Sequence, residues 1–165
     1  MKHYKLYILI FLLITTISNA QTVFSCKIDG DEFVAKNFDA TQIKMLNTDY
    51  IQIKIENDGK LLFLYLKMEK LKGELPVKLE YSEPKENQIP DVELVWAPNP
   101  DEPQWNSIEG KAEITSFNNE TKTISGIFEF VVEKMEYGTK KKKPRLDVED
   151  GVFKNIIYKL EEGTH

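Results

Sequence analysis

The chain has 165 residues, with 22 basic and 27 acidic side chains and a net charge of −5, a length suited to one domain that buries roughly 70% of its unfolded surface. Its two histidines, His3 and His165, stand at the extremities, and Cys26 is its single cysteine, so histidine triads, histidine zinc sites and internal disulfides have almost nothing to draw on. The acidic balance and the lack of a Gly-rich phosphate loop argue against nucleic-acid and nucleotide partners.

Residues 1–20 read as a secretory signal peptide. Lys2 and Lys5 precede an apolar run over 7–17, and Ser18-Asn19-Ala20 offers a small-residue cleavage site. That run is far short of the roughly 20 residues of a spanning helix. The expectation is an exported domain over residues 21–165, without a transmembrane span, in the periplasm, at the cell surface or secreted. Its charge would be −7, because the leader carries Lys2 and Lys5 and no acid. Val23-Phe24-Ser25-Cys26 is similar to a bacterial lipidation box, but Asn19, Gln21, Thr22 and Phe24 fit it poorly, so a strand cysteine acting as a small hydrophobe is preferred over a lipid anchor.

Residues 23–28, Asp29-Gly30 and residues 31–35 predict a tight hairpin, with Phe24, Cys26 and Ile28 on one face. Residues 37–48 carry Ile43, Met45 and Leu46 without a clear period, so a short strand and a helical turn both stay open. Over 50–56, Ile51, Ile53 and Ile55 alternate with Gln52, Lys54 and Glu56. Asn57-Asp58-Gly59 then turns the chain into residues 61–68. Leu61 to Leu66 is apolar on both faces and predicts a central strand covered on both sides. Leu75, Val77, Leu79 and Tyr81 alternate, and Pro76 places them at an edge or a strand start. A short strand over 92–97 carries Trp96, and residues 98–107 read as a proline-stiffened loop ending near Trp105.

Residues 110–134 predict a hairpin with a long second strand. Phe128 and Phe130 share its core face, and Gly126 marks a bend, bulge or close backbone approach. Residues 136–149 read as a charged loop, and residues 152–160 as a last strand entered at Asp150-Gly151. Nine or ten strands with closely spaced turns predict an all-β domain, an antiparallel β-sandwich or a closed β-barrel.

The stretches Ile28-Asp29-Gly30 with Phe33 and Ala35, Gly110 with Ile114-Thr115-Ser116-Phe117, Thr123 to Phe130, and Gly151-Val152-Phe153 with Ile156 resemble an uncharacterised family of exported proteins of Bacteroidota bacteria. The resemblance implies a compact β-protein of the cell envelope, often a lipoprotein. It implies no activity, cofactor or catalytic residue.

Two surface features carry chemistry. Lys140, Lys141, Lys142, Lys143 and Arg145 place five positive charges in six residues, suited to an anionic surface such as lipid phosphates or acidic glycans, or else a solvated hairpin tip. Trp105, Trp96 and Tyr137 offer aromatic surface to a glycan or peptide, with burial in the core as the competing use. Asp147 to Gly151 is acidic, but its spacing misses a calcium loop. A binding or envelope-associated domain without a cofactor is the leading expectation. A carboxylate-dependent hydrolase or lyase acting on a glycan, and an assembly subunit with an open strand edge, are the alternatives.

Overall fold

A computed structural model describes residues 22–84, 88–135 and 142–160. The chain is all-β. Among the described residues eleven strands form one sheet: β1 (Val23–Ile28), β2 (Asp31–Val34), β3 (Asn37–Met45), β4 (Thr48–Asn57), β5 (Lys60–Lys67), β6 (Val77–Glu80), β7 (Val92–Ala97), β8 (Trp105–Asn118), β9 (Thr123–Lys134), β10 (Arg145–Ile157) and β11 (Lys159–Leu160). A five-residue 3-10 turn at Met68–Lys72 interrupts them.

The strand order is β11-β3-β4-β5-β7-β8-β9-β10-β1-β2, with β6 added beside β8. Every pair is antiparallel except β11 with β3. The sheet must curl. The end strand β2 passes through Ala35 and Lys36 into β3, one strand in from the other end, and the Lys36 N–H bonds to the Glu56 carbonyl. Alternation then sends every second side chain to one interior. Phe24, Cys26, Phe33, Ile51, Ile53, Ile55, Leu62, Leu64, Leu66, Leu94, Trp96, Phe128, Phe130 and Phe153 belong to a single buried cluster.

The two halves of the sheet fill that interior differently. In β4 and β5, aliphatic residues meet at successive pairs, Ile51 with Leu66, Ile53 with Leu64 and Ile55 with Leu62, and all six are completely buried. In β8, β9 and β10 the large groups are phenylalanines, and each of three stands opposite a glycine: Gly110 with Phe130, Gly126 with Phe153, and Gly151 with Phe128. A Cβ on Gly126 would lie 2.5 Å from Phe153 Cζ. The ring occupies the space a side chain would need, so of the bend, bulge or close approach expected at this glycine the close approach is seen, with register shifts beside it. The register slips by a residue between Val148 and Gly151 and between Ser107 and Glu109, and such bulges sharpen the local coiling of long strands.

Several boundaries differ from the sequence expectation. Residues 37–45 form a full strand that the irregular spacing of Ile43, Met45 and Leu46 conceals, turned by Leu46 and Asn47, both at positive φ. Strand β8 begins at Trp105 rather than beyond a loop, because Trp105 pairs with both Trp96 and Lys134. Strand β10 begins at Arg145, and Asp150-Gly151 is a mid-strand bulge rather than an entrance. Charged residues at 145, 147, 149 and 150 are compatible with a strand whose other face is buried, which is why composition suggested a loop there.

Candidate functional site

The pairing of β8, β9 and β10 brings two separate sequence features to one end of the sheet. Trp105 at the start of β8 pairs with Lys134 at the end of β9, and Glu133 beside it pairs with Arg145 at the start of β10. The tryptophan and the base of the lysine run are therefore neighbours, although 37 or more residues separate Trp105 from Lys142. Two backbone bonds close this end, from Met135 N–H to the Gln104 carbonyl and from Lys134 N–H to the Pro144 carbonyl.

Trp105 is half-buried, and part of it packs on the core. Lys134 Nζ lies 5.9 Å from the centre of its ring, a cation–π distance. The same ammonium sits 3.2 Å from Glu102 Oε2. Glu102 belongs to the β7–β8 connection, where Asn99 Oδ1 accepts the Asp101 N–H and the Asn99 carbonyl accepts the Glu102 N–H. The Lys134 hydrogen bond, helped by Asn99, holds the Glu102 carboxyl below its ordinary range. Arg145 Nε donates to Glu133 Oε2 at 3.0 Å, and Lys143 Nζ is 3.9 Å from Glu133 Oε1. Glu133 thus offsets part of the basic run, whereas the Lys142 side chain is exposed.

Trp96 does not join this surface. Its ring is 5% exposed and meets Phe33 edge-on at 5.1 Å, so it serves packing, and its expected part in ligand contact is withdrawn. Tyr137, Lys140 and Lys141 lie outside the described residues. Cys26 is 4% exposed, paired with Phe33 in β1, and burial pushes its thiol up to about 12. Such a thiol is inert as a nucleophile near neutral pH. An acyl anchor there would need Cys26 to leave the core and would remove Val23, Phe24 and Ser25 from their pairing with β10.

Ser107 fixes where the end piece opens from the sheet. It is buried, and its Oγ both donates to the Leu94 carbonyl and accepts from the Leu94 N–H, at 2.8 Å each. A side chain replaces the main-chain ladder at this step, so β7 and β8 diverge after pairing at Trp96–Trp105 and Val95–Asn106. The edge of β8 freed beyond that point takes up β6, with Val77 opposite Ile114 and Glu80 opposite Lys111.

A hollow of about 600 Å³ lies on the outer face of β6, β8, β9 and β10. Ile127 and Val152, a cross-strand pair that is 49% and 37% exposed, form part of its floor. Three of its four acids are engaged with lysines, Glu129 with Lys111 at 2.8 Å, Asp150 with Lys27 at 2.7 Å and Glu113 with Lys78 at 3.8 Å, while Glu80 has no ion pair among the described residues.

Comparison of the chain with protein-family models, with curated proteins and with solved structures returned no match.

Sequence reasoning passed over Lys134, Glu102 and Glu133. Each looks like an ordinary solvent-facing charge in its own segment, and only the pairing of β9 with its two neighbours gives them a common place.

Proposed function

We propose that the chain is a non-enzymatic binding domain on a barrel-like sheet, exported through residues 1–20, which takes an acidic glycan at the end formed by Trp105, Lys134, Lys142, Lys143 and Arg145. The observation that carries this is the register that sets a half-buried tryptophan beside Lys134 and next to the base of the basic run. A sugar ring packs its C–H face on the indole, and its carboxylates meet the cations, with Lys134 exchanging Glu102 for the ligand. The filled interior, which leaves no deep cleft between facing acids among the described residues, favours binding over hydrolysis. The burial of Cys26 favours the domain without a lipid anchor. Membership in the exported Bacteroidota β-proteins belongs to the same reading.

Assembly by strand addition receives less support. The strands at the sheet ends and beside β8 are short, with four residues in β2, four in β6 and two in β11, and they carry Asp31, Glu32, Lys78, Glu80 and Lys159, charges of the kind that discourage edge pairing.

Binding to polygalacturonate, measured by isothermal titration calorimetry, tests the proposal. Affinity should fall about tenfold in Trp105→Ala and steeply with added salt. A triple Lys142, Lys143 and Arg145 alanine variant that binds as tightly as the parent would refute it.

A further inference from the structure

Strand β5 is apolar on both faces, yet the core uses only one. Leu62, Leu64 and Leu66 are fully buried, whereas Phe63 and Tyr65 point outward and remain half-buried. The expected cover on both sides is therefore incomplete. Register shows what surrounds the two rings. Gln52, Tyr65 and Glu93 form one cross-strand row, and Lys54, Phe63 and Val95 form the next. The rings lie nearly parallel, 17° apart with centres separated by 6.4 Å. Gln52 Nε2 donates to Tyr65 Oη at 3.1 Å, which orients the phenol and leaves its own proton available to a further acceptor.

Glu93 is the unusual member. It is half-buried on the outer face of β7, and among the described residues its carboxylate has neither a cation nor a hydrogen-bond partner. A half-buried carboxylate gains from a hydrogen-bond donor brought to it. In the row of Phe63 and Val95, Asn106 Oδ1 is buried without a partner among the described residues. A half-buried carboxylate without a protein partner beside an aromatic pair describes the complement of a ligand rich in donors with an apolar face.

Charge narrows the class. Lys54 shares the row of Phe63, so a cationic guest meets a like charge, and an anionic guest meets Glu93. A neutral polyol meets neither penalty. We propose that this face is a second ligand site, in which Phe63 and Tyr65 receive the C–H face of a neutral sugar ring while Glu93 and Gln52 bind its hydroxyl groups. Sugar hydroxyls donate to the Glu93 carboxylate, a charge-assisted bond, and Tyr65 donates to a sugar oxygen. The site is separate from the Trp105 end and stands whether or not acidic glycans bind there.

The test is electrophoresis of the full chain through native gels containing hydroxyethyl cellulose, xylan or laminarin. At least one polymer should retard the parent, with no loss at raised salt. Phe63→Ala should weaken the retardation about tenfold and Glu93→Gln severalfold. Each variant is checked by its thermal unfolding midpoint, and Glu93→Gln, which keeps the side-chain shape, decides the matter if Phe63→Ala does not fold. Retardation by none of the three polymers, or retardation that a folded Phe63→Ala and Glu93→Gln both preserve, overturns the proposal.

Discussion

Strands β4 and β5 and strands β8 to β10 enclose the same core by opposite means. The first pair has no glycine within its strands and packs Ile against Leu at every inward step. The other three set phenylalanine rings over Gly110, Gly126 and Gly151 and slip register beside each of those sites. Regular strands give even walls whose outer face can carry a flat array such as Gln52, Tyr65 and Glu93. Coiled strands give reach. Their 12 to 14 residues extend to the end where Trp105, Lys134 and Arg145 meet.

The largest effect should separate these two solutions. Gly110 has φ of +150°, and a Cβ there would overlap the Phe130 ring and come within 2.6 Å of the Glu129 carbonyl oxygen. Gly110→Ala should therefore cost roughly 4 kcal/mol, from strain and overpacking together. Leu64→Ala, which empties a fully buried site in the regular half, should cost about 3 kcal/mol. Urea unfolding of both variants measures the pair. A Gly110→Ala loss below about 1 kcal/mol would show that the coiled half relaxes freely and that the comparison is wrong.

A smaller effect belongs to the junction between the halves. Ser107→Ala removes both hydrogen bonds that bridge β8 to Leu94 and leaves a buried N–H and a buried carbonyl unpaired, a cost of about 2 kcal/mol. Hydrogen exchange at Leu94 should accelerate in this variant before the core of β4 opens. Equal protection at Leu94 in both proteins would mean that water or a shifted main chain replaces the hydroxyl.

The smallest is a dependence on pH. Cys26 has its thiol pushed from an ordinary 9.0 to about 12 by burial, so in the unfolded chain it loses its proton first. The stabilisation is complete below about pH 9 and fades as pH rises toward 12, by about 1 kcal/mol between about pH 9 and pH 10. Tyr50 is likewise raised to about 12, first by burial and then by the charges of Asp91 and Glu93, and acts in the same direction. Unfolding of the parent and of Cys26→Ala should give a steeper alkaline decline for the parent. Parallel declines would place Cys26 outside the closed core.

Much of the scaffold was legible in local chemistry. Asp29-Gly30 and Asp58-Gly59 turn two hairpins at positive φ, and the alternation of Ile51, Ile53 and Ile55 marks a half-buried strand. Phe128 and Phe130 were legible as core, and Gly126 as a close approach. The β3–β4 turn was not, because Leu46 and Asn47 adopt positive φ without a glycine to announce it.

The sites divide in the same way. Trp105 and the lysine run stand out in the sequence by residue type, yet nothing in either segment states that they meet. Trp96 and Trp105 look alike as residues and lie opposite one another in the sheet, but one is sealed against Phe33 and the other stands at the open end. By itself the sequence determined an all-β chain, because period-two alternation and turn residues act over a few neighbours. The tertiary structure alone decided which strands pair and in what register. That choice depends on how distant side chains fill a shared interior, and it is what assembles Trp105 with Lys134, Glu133 with Arg145, and Tyr65 with Glu93.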